Sequence, residues 1–153
     1  MFGTRLIKME NTLKDILKNK QNPSAYTFIA DQTPFPQNAY WTTFLNQDTP
    51  LFTGAEKIAK KLNFPVLFVN IVREKRGQYK ITEELLFENP KETRENEITE
   101  TYIRRLEQEI IKMPETWLWS HRRWKHKRDA NENKLKQQTM NFKKDEQSLS
   151  NEV

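Results

Sequence analysis

The stretch Pro114-Glu115-Thr116-Trp117-Leu118-Trp119-Ser120-His121-Arg122-Arg123-Trp124-Lys125 concentrates the chemistry of this chain. It holds three of the four tryptophans, one of the two histidines and two adjacent arginines. Tryptophan combines a large apolar area with one donor and suits a boundary that is oily on one side and wet on the other. Arginine offers a planar fork of donors that matches phosphate or carboxylate. Alternating the two types suits an amphiphile with an anionic end, or a nucleic acid. The charge agrees: the whole chain is formally +5, and residues 114–128 hold five Lys/Arg against one Glu. A localised basic patch points to an anionic partner more firmly than a high overall charge does.

Other groups carry weaker signals. Asp31 follows the apolar run Tyr26–Ala30, which reads as a buried strand. Polar residues just past strand ends line the ligand crevice of open α/β sheets, while a turn aspartate that caps local amides is the alternative. Arg73 closes a second apolar run and is either an anion ligand or a surface cation. Glu83 and Glu84 are adjacent on a strand and therefore point to opposite faces, which excludes a shared two-carboxylate site. His121 is a general base, a phosphate ligand or an internal hydrogen-bonding group. Cysteine is absent and His121 and His126 are the only histidines, which rules out a disulfide framework and leaves no convincing zinc set.

The elements that must position these groups follow from periodicity. Residues 12–19 read as a short helix stopped by Asn22-Pro23, and residues 33–50 as an aromatic-rich loop holding Phe35, Tyr40, Trp41 and Phe44. Residues 54–62 read as a helix, and 65–72 as a strand covered on both sides. Arg76-Gly77 is a turn, and 78–87 the partner strand. Ile98, Tyr102, Leu106, Ile110 and Met113 repeat at helical spacing. Pro114 then opens a short helix that carries the Trp and Arg residues, with Arg122 and Arg123 about 100° apart on it. This order implies an α/β sheet with flanking helices. Residues 1–128 form the domain, and 129–153, polar and poor in apolar residues, read as a disordered tail. No segment is apolar for the ~20 residues a spanning helix needs, so membrane contact is expected to be peripheral.

The pattern Pro-Glu-x-Trp-x-Trp-x-His-Arg-Arg-Trp-Lys at 114–125 resembles the C-terminal signature of the lipid A biosynthesis acyltransferases, the Kdo-lipid A lauroyl/myristoyl transferase family. Phe28-Ile29-Ala30-Asp31-Gln32-Thr33-Pro34 resembles the family's Asp-Gln block. Phe52-Thr53-Gly54-Ala55, followed by Pro65–Val69 and Arg73, resembles its next helix-strand unit. The resemblance runs from about Gly3 to Arg128 and implies the C-terminal half of a glycerolipid-acyltransferase-like domain with a mixed sheet. It implies acyl transfer from acyl carrier protein to a hydroxyl of a lipid A precursor, at the cytoplasmic face of the bacterial inner membrane. No metal or cofactor is required. It further implies that Asp31, Gln32, Arg73, His121, Arg122 and Arg123 bind substrate, and that Trp41, Trp117, Trp119 and Trp124 meet acyl chain or membrane. The superfamily's base is a histidine followed, five residues on, by Asp or Glu. Here His121 is followed by His126, and His126 by Asn131. The expectation is a chain without the catalytic block, inactive alone, with Met1 falling past that block; whether a missing N-terminal half is its partner is left open by the sequence.

Two rival readings come from other classes. A nucleic-acid-binding protein using Trp119–Arg128 as a basic-aromatic patch explains the charge but not the Asp31 block. An inert remnant would leave sheet edges and apolar faces uncovered.

Overall fold

The computed structural model describes residues 4–128; the expected tail at 129–153 lies outside the described residues. Three helices and four strands follow one another in a mixed α/β arrangement. Helix α1 spans Thr12–Asn19, α2 Gly54–Leu62 and α3 Glu97–Lys112. Strands β1 (Tyr40–Phe44) and β2 (Gln47–Leu51) form one antiparallel hairpin, and β3 (Val66–Lys75) and β4 (Gln78–Phe87) form another. The partial α/β fold expected is borne out, its strands sitting in two small antiparallel sheets.

Helix α3 is the beam that both hairpins share. One stripe of it serves the first hairpin: Tyr40 Oη donates to Glu100 at 2.7 Å, Leu45 N donates to Glu107 at 2.5 Å, and Arg104 donates to the Thr43 carbonyl. Another stripe serves the second: Tyr102 packs on Phe68, Asn70 donates to Glu109 at 2.6 Å, and Arg105 bridges to Glu84 at 2.6 Å. The core, Phe44, Leu51, Ile103 and Ile110, lies between α3 and the first hairpin. The start of α3 is fixed from α2. Buried Glu56 accepts from Thr99 N at 2.9 Å and Thr99 Oγ1 at 2.5 Å, which places a carboxylate on the helix's exposed N–H groups and positive dipole end.

Three expectations are corrected. The expected strand at 26–30 carries no regular structure, and Ile29 is 78% exposed. A strand requires a partner for its backbone groups, and among the described residues none is offered. The expected loop at 33–50 instead contains β1 and β2, closed by Leu45 and Asn46, both at positive φ, the conformation of a two-residue hairpin turn. Finally, β3 is covered on one face only. Its register, Leu67 opposite Leu85, Val69 opposite Glu83 and Ile71 opposite Ile81, turns those residues away from α3.

Candidate functional site

The helix expected after Pro114 is also absent. A single 3-10 turn, Pro114–Thr116, is followed by a chain of tight turns: Trp119 N bonds to Trp117 O at 2.9 Å, His121 N to Leu118 O at 3.0 Å, and Arg123 N to His121 O at 2.7 Å. Trp, Ser, His and Thr are indifferent helix formers, and tertiary anchors decide the path. Trp117 meets Phe44 edge-on at 5.9 Å, and Trp124 stacks on it at 6.4 Å. Trp124 Nε1 also donates to buried Thr49 Oγ1 at 2.8 Å. The loop 118–123 is therefore pinned at both ends to the first hairpin. Between the pins, Leu118 and Trp119 face solvent, with Trp119 Nε1 held by the Pro114 carbonyl at 2.7 Å.

Within this loop the two arginines part: Arg122 is exposed and Arg123 is 1% exposed. The inward-outward split expected of a helix is achieved by turns instead. Arg123 Nη1 donates to the Gln32 carbonyl at 2.5 Å and lies 3.5 Å from Thr33 Oγ1. Thr33 closes the link from its side. Its N–H donates to His121 Nε2 at 3.3 Å, and its hydroxyl donates to the Arg123 carbonyl at 2.7 Å. Three of the six residues expected to bind substrate, Gln32, His121 and Arg123, thus meet at Thr33 across some ninety positions of sequence, and Asp31 and Arg122 adjoin them.

Beneath this junction lies a polar cluster. Asp31 Oδ1 and Arg123 Nε and Nη2 are buried without a hydrogen-bond partner among the described residues. Burial holds the Arg123 guanidinium below its ordinary range, against the opposing pull of Tyr102 and Asp31. Burial, reinforced by the Asp31 charge, pushes the Tyr102 phenol well up. Asp31 and Arg123 feel each other's charge without forming an ion pair. Sequence reasoning passed over Thr33 and Tyr102. Thr33 sat inside the quoted Asp-Gln block, and Tyr102 read as one more apolar position of α3.

Arg73 has other surroundings. It is exposed on β3 and lines an open cleft with Ile71, Tyr79, Met113, Glu115 and Thr116. Trp41 lies under the Arg128 guanidinium at 5.4 Å, and Arg128 bridges to Asp48 at 3.1 Å. Glu83 and Glu84 fall on opposite faces, with Glu84 paired to Arg105.

Residues 1–126 match the family model for bacterial lipid A biosynthesis acyltransferases. The chain belongs to that family. The match takes in both halves of the junction, the 31–33 block and the 121–123 turn. No curated protein and no solved structure matches the chain. Among the described residues no helix is long and apolar enough to cross a membrane, and no group of His, Asp and Glu is placed to hold a metal ion.

Proposed function

We propose that these 153 residues form the acceptor-binding part of a lipid A biosynthesis acyltransferase, the enzyme that moves a fatty acyl chain from acyl carrier protein to a hydroxyl of a lipid A precursor. The observation that carries this reading is the clasp between Thr33 and the His121–Arg123 turn, which joins the two family motifs into one surface. Arg123 holds the clasp from within through the Gln32 carbonyl. Exposed Gln32 and Arg122 carry donors with which a phosphate-bearing sugar can be met. Arg73 supplies a second anion contact, and Trp119 with Leu118 offers apolar surface to acyl chain or bilayer. Trp41, Trp117 and Trp124 support that surface from the side of the first hairpin.

The chain holds no histidine with Asp or Glu five residues on, and in this reading its residues bind the acceptor rather than deprotonate it. In this reading residues 1–128 are the acyltransferase portion, and the chain works peripherally at the cytoplasmic face of the inner membrane. The 153-residue chain alone transfers no acyl group. The test is equilibrium binding of a bis-phosphorylated lipid A precursor below its critical micelle concentration. Binding that requires the phosphates and weakens about tenfold in Arg122→Ala, the loss of one good charge-assisted contact, supports the reading. Binding indifferent to the phosphates, or outcompeted by single-stranded DNA with a steep salt dependence, refutes it in favour of a nucleic-acid partner.

A further inference from the structure

The largest unexplained surface is the outer face of the β3–β4 hairpin. Residues directly opposite in an antiparallel pair share a face, and the register sets Leu67 against Leu85, Val69 against Glu83, Ile71 against Ile81 and Arg73 against Tyr79. The other face meets α3 through Phe68, Asn70 and Glu84. On the outer face the apolar and aromatic residues are bare, from 50% exposed at Val69 to 64% at Tyr79. Only the far end is bordered, by Met113, Glu115 and Thr116 across an open cleft. Scattered exposed apolar residues are ordinary, but a contiguous strip of them marks an interaction site.

The charges on the strip identify what covers it. It carries one cation, Arg73, and one anion, Glu83, and so has no net charge. Neither forms an ion pair with another described residue. Covering Glu83 with apolar matter alone strands a carboxylate without a counter-charge. The covering surface must therefore bring a cation to Glu83 and an anion to Arg73, and a second copy of the same strip does both. The two charges lie two positions to either side of the Ile71–Ile81 pair, about 13 Å apart along the strands at about 3.3 Å per residue. A two-fold axis that lies in the interface and crosses the strands at that pair lays the level of Val69 and Glu83 on the level of Arg73 and Tyr79 of the other copy. Glu83 then faces the Tyr79 hydroxyl, and Arg73 is one strand spacing to the side, about 4.8 Å, within reach of its long side chain. The contact is made twice, as an isologous interface requires. Ile71 and Ile81 meet their own counterparts at the dry centre, and the strands of the two hairpins run nearly aligned, a usual arrangement of packed sheets. The strip with its two charges offers roughly 600–800 Å² per copy, against the about 800 Å² per partner of a stable interface.

We infer that two copies of this chain pair through the outer faces of their β3–β4 hairpins, with Arg73 of each copy on Glu83 of the other. The interface uses no residue of the 31–33 and 121–123 junction, and it gives Arg73 a carboxylate of the second copy as its anion. It therefore stands or falls separately from acceptor binding.

The test is sedimentation equilibrium of the 153-residue protein from micromolar to hundreds of micromolar. The wild type forms a reversible dimer, and Ile71→Glu combined with Ile81→Glu leaves a monomer. Arg73→Glu alone, or Glu83→Arg alone, sets like charges against each other at both contacts and raises the dimer dissociation constant by at least about tenfold. Mixed in equal amounts, these two single variants form a heterodimer in which both contacts again join opposite charges, and much of the lost affinity returns. All four sites are exposed, and an unchanged far-ultraviolet circular dichroism spectrum confirms that each variant folds. Three results overturn the inference: a folded wild type that stays monomeric throughout, whether or not it partitions onto phosphatidylcholine vesicles; self-association that the strip variants leave intact; or single charge variants that lose the dimer and do not recover it when mixed.

Discussion

Replacing Arg123 by alanine tests whether the clasp is held from within. The substitution removes a charge-assisted bond to the Gln32 carbonyl at 2.5 Å, worth about 1.5–3 kcal/mol. It also takes from Asp31, whose Oδ1 is buried and unpartnered, a nearby cation that makes no ion pair with it but offsets part of its charge, a smaller loss than breaking a tight buried pair. Against this, the two unpartnered Arg123 donors cease to be a burden, each costing about 1–3 kcal/mol while buried. The balance is a net loss of about 2–3 kcal/mol. Urea denaturation followed by tryptophan fluorescence reads it directly, because Trp124 is the next residue. With a slope of about 2 kcal/mol per molar, the midpoint falls by about 1–1.5 M. Arg123→Met, which fills the space without a buried charge, recovers much of the loss. Combining Arg123→Ala with Asp31→Ala costs less than the sum of the two by at least about 1 kcal/mol. Arg122→Ala, at an exposed site, stays within about 0.5 kcal/mol. The reasoning is refuted if Arg122→Ala and Arg123→Ala lower the midpoint equally, or if the double variant is strictly additive.

Other consequences are as specific. Glu56→Ala strips both acceptors from Thr99 and the carboxylate from the start of α3, for a loss of about 3 kcal/mol by urea denaturation; Glu56→Gln keeps the shape and loses less. Trp124→Phe retains the stack on Phe44 but loses the bond to Thr49, costing about 1 kcal/mol, whereas Trp119→Ala leaves the midpoint nearly unchanged. Burial and the Glu100 hydrogen bond push the Tyr40 phenol from 10.0 up to about 12. Its contribution to stability is therefore complete below pH 10 and is lost as pH rises through its folded value near 12. Comparing wild type with Tyr40→Phe over that range shows the difference closing. Arg105, then Lys112, hold the Glu109 carboxyl below its ordinary 4.5. Its contribution is present above that value and disappears as pH falls through the lowered one, so Glu109→Gln and wild type converge in strong acid.

Much of the scaffold was legible because it is local. Residues 12–19 and 54–62 carry complete amphipathic periods with stop signals, and Arg76-Gly77 between two apolar runs is a hairpin written in sequence. Helix α3, expected to run through Ile98 to Met113, spans Glu97–Lys112. What escaped depends on tertiary partners. The first hairpin was hidden by Pro50 and Asp48 in β2 and by Leu45 at φ 48°, a conformation held by the Glu107 bond to Leu45 N. The run Tyr26–Ala30 has the composition of a strand but, among the described residues, no neighbour to pair with. The tryptophan loop follows its two anchors on Phe44, which no spacing rule encodes. Even so, Gln32, His121 and Arg123, which the fold brings to one junction, are among the candidates that motif and resemblance name in the sequence. Only the inward turn of Arg123 and the linking part of Thr33 required the fold.

The central claim is that the 31–33 block and the 121–123 turn form one acceptor surface. Hydrogen–deuterium exchange of the 153-residue protein, with and without the bis-phosphorylated lipid A precursor, tests it most directly. The account predicts that backbone amides in both segments, Gln32–Thr33 and His121–Arg123, slow together when the precursor binds, and that Arg123→Ala abolishes the joint protection. Protection of one segment without the other, or protection confined to regions away from both, would contradict it.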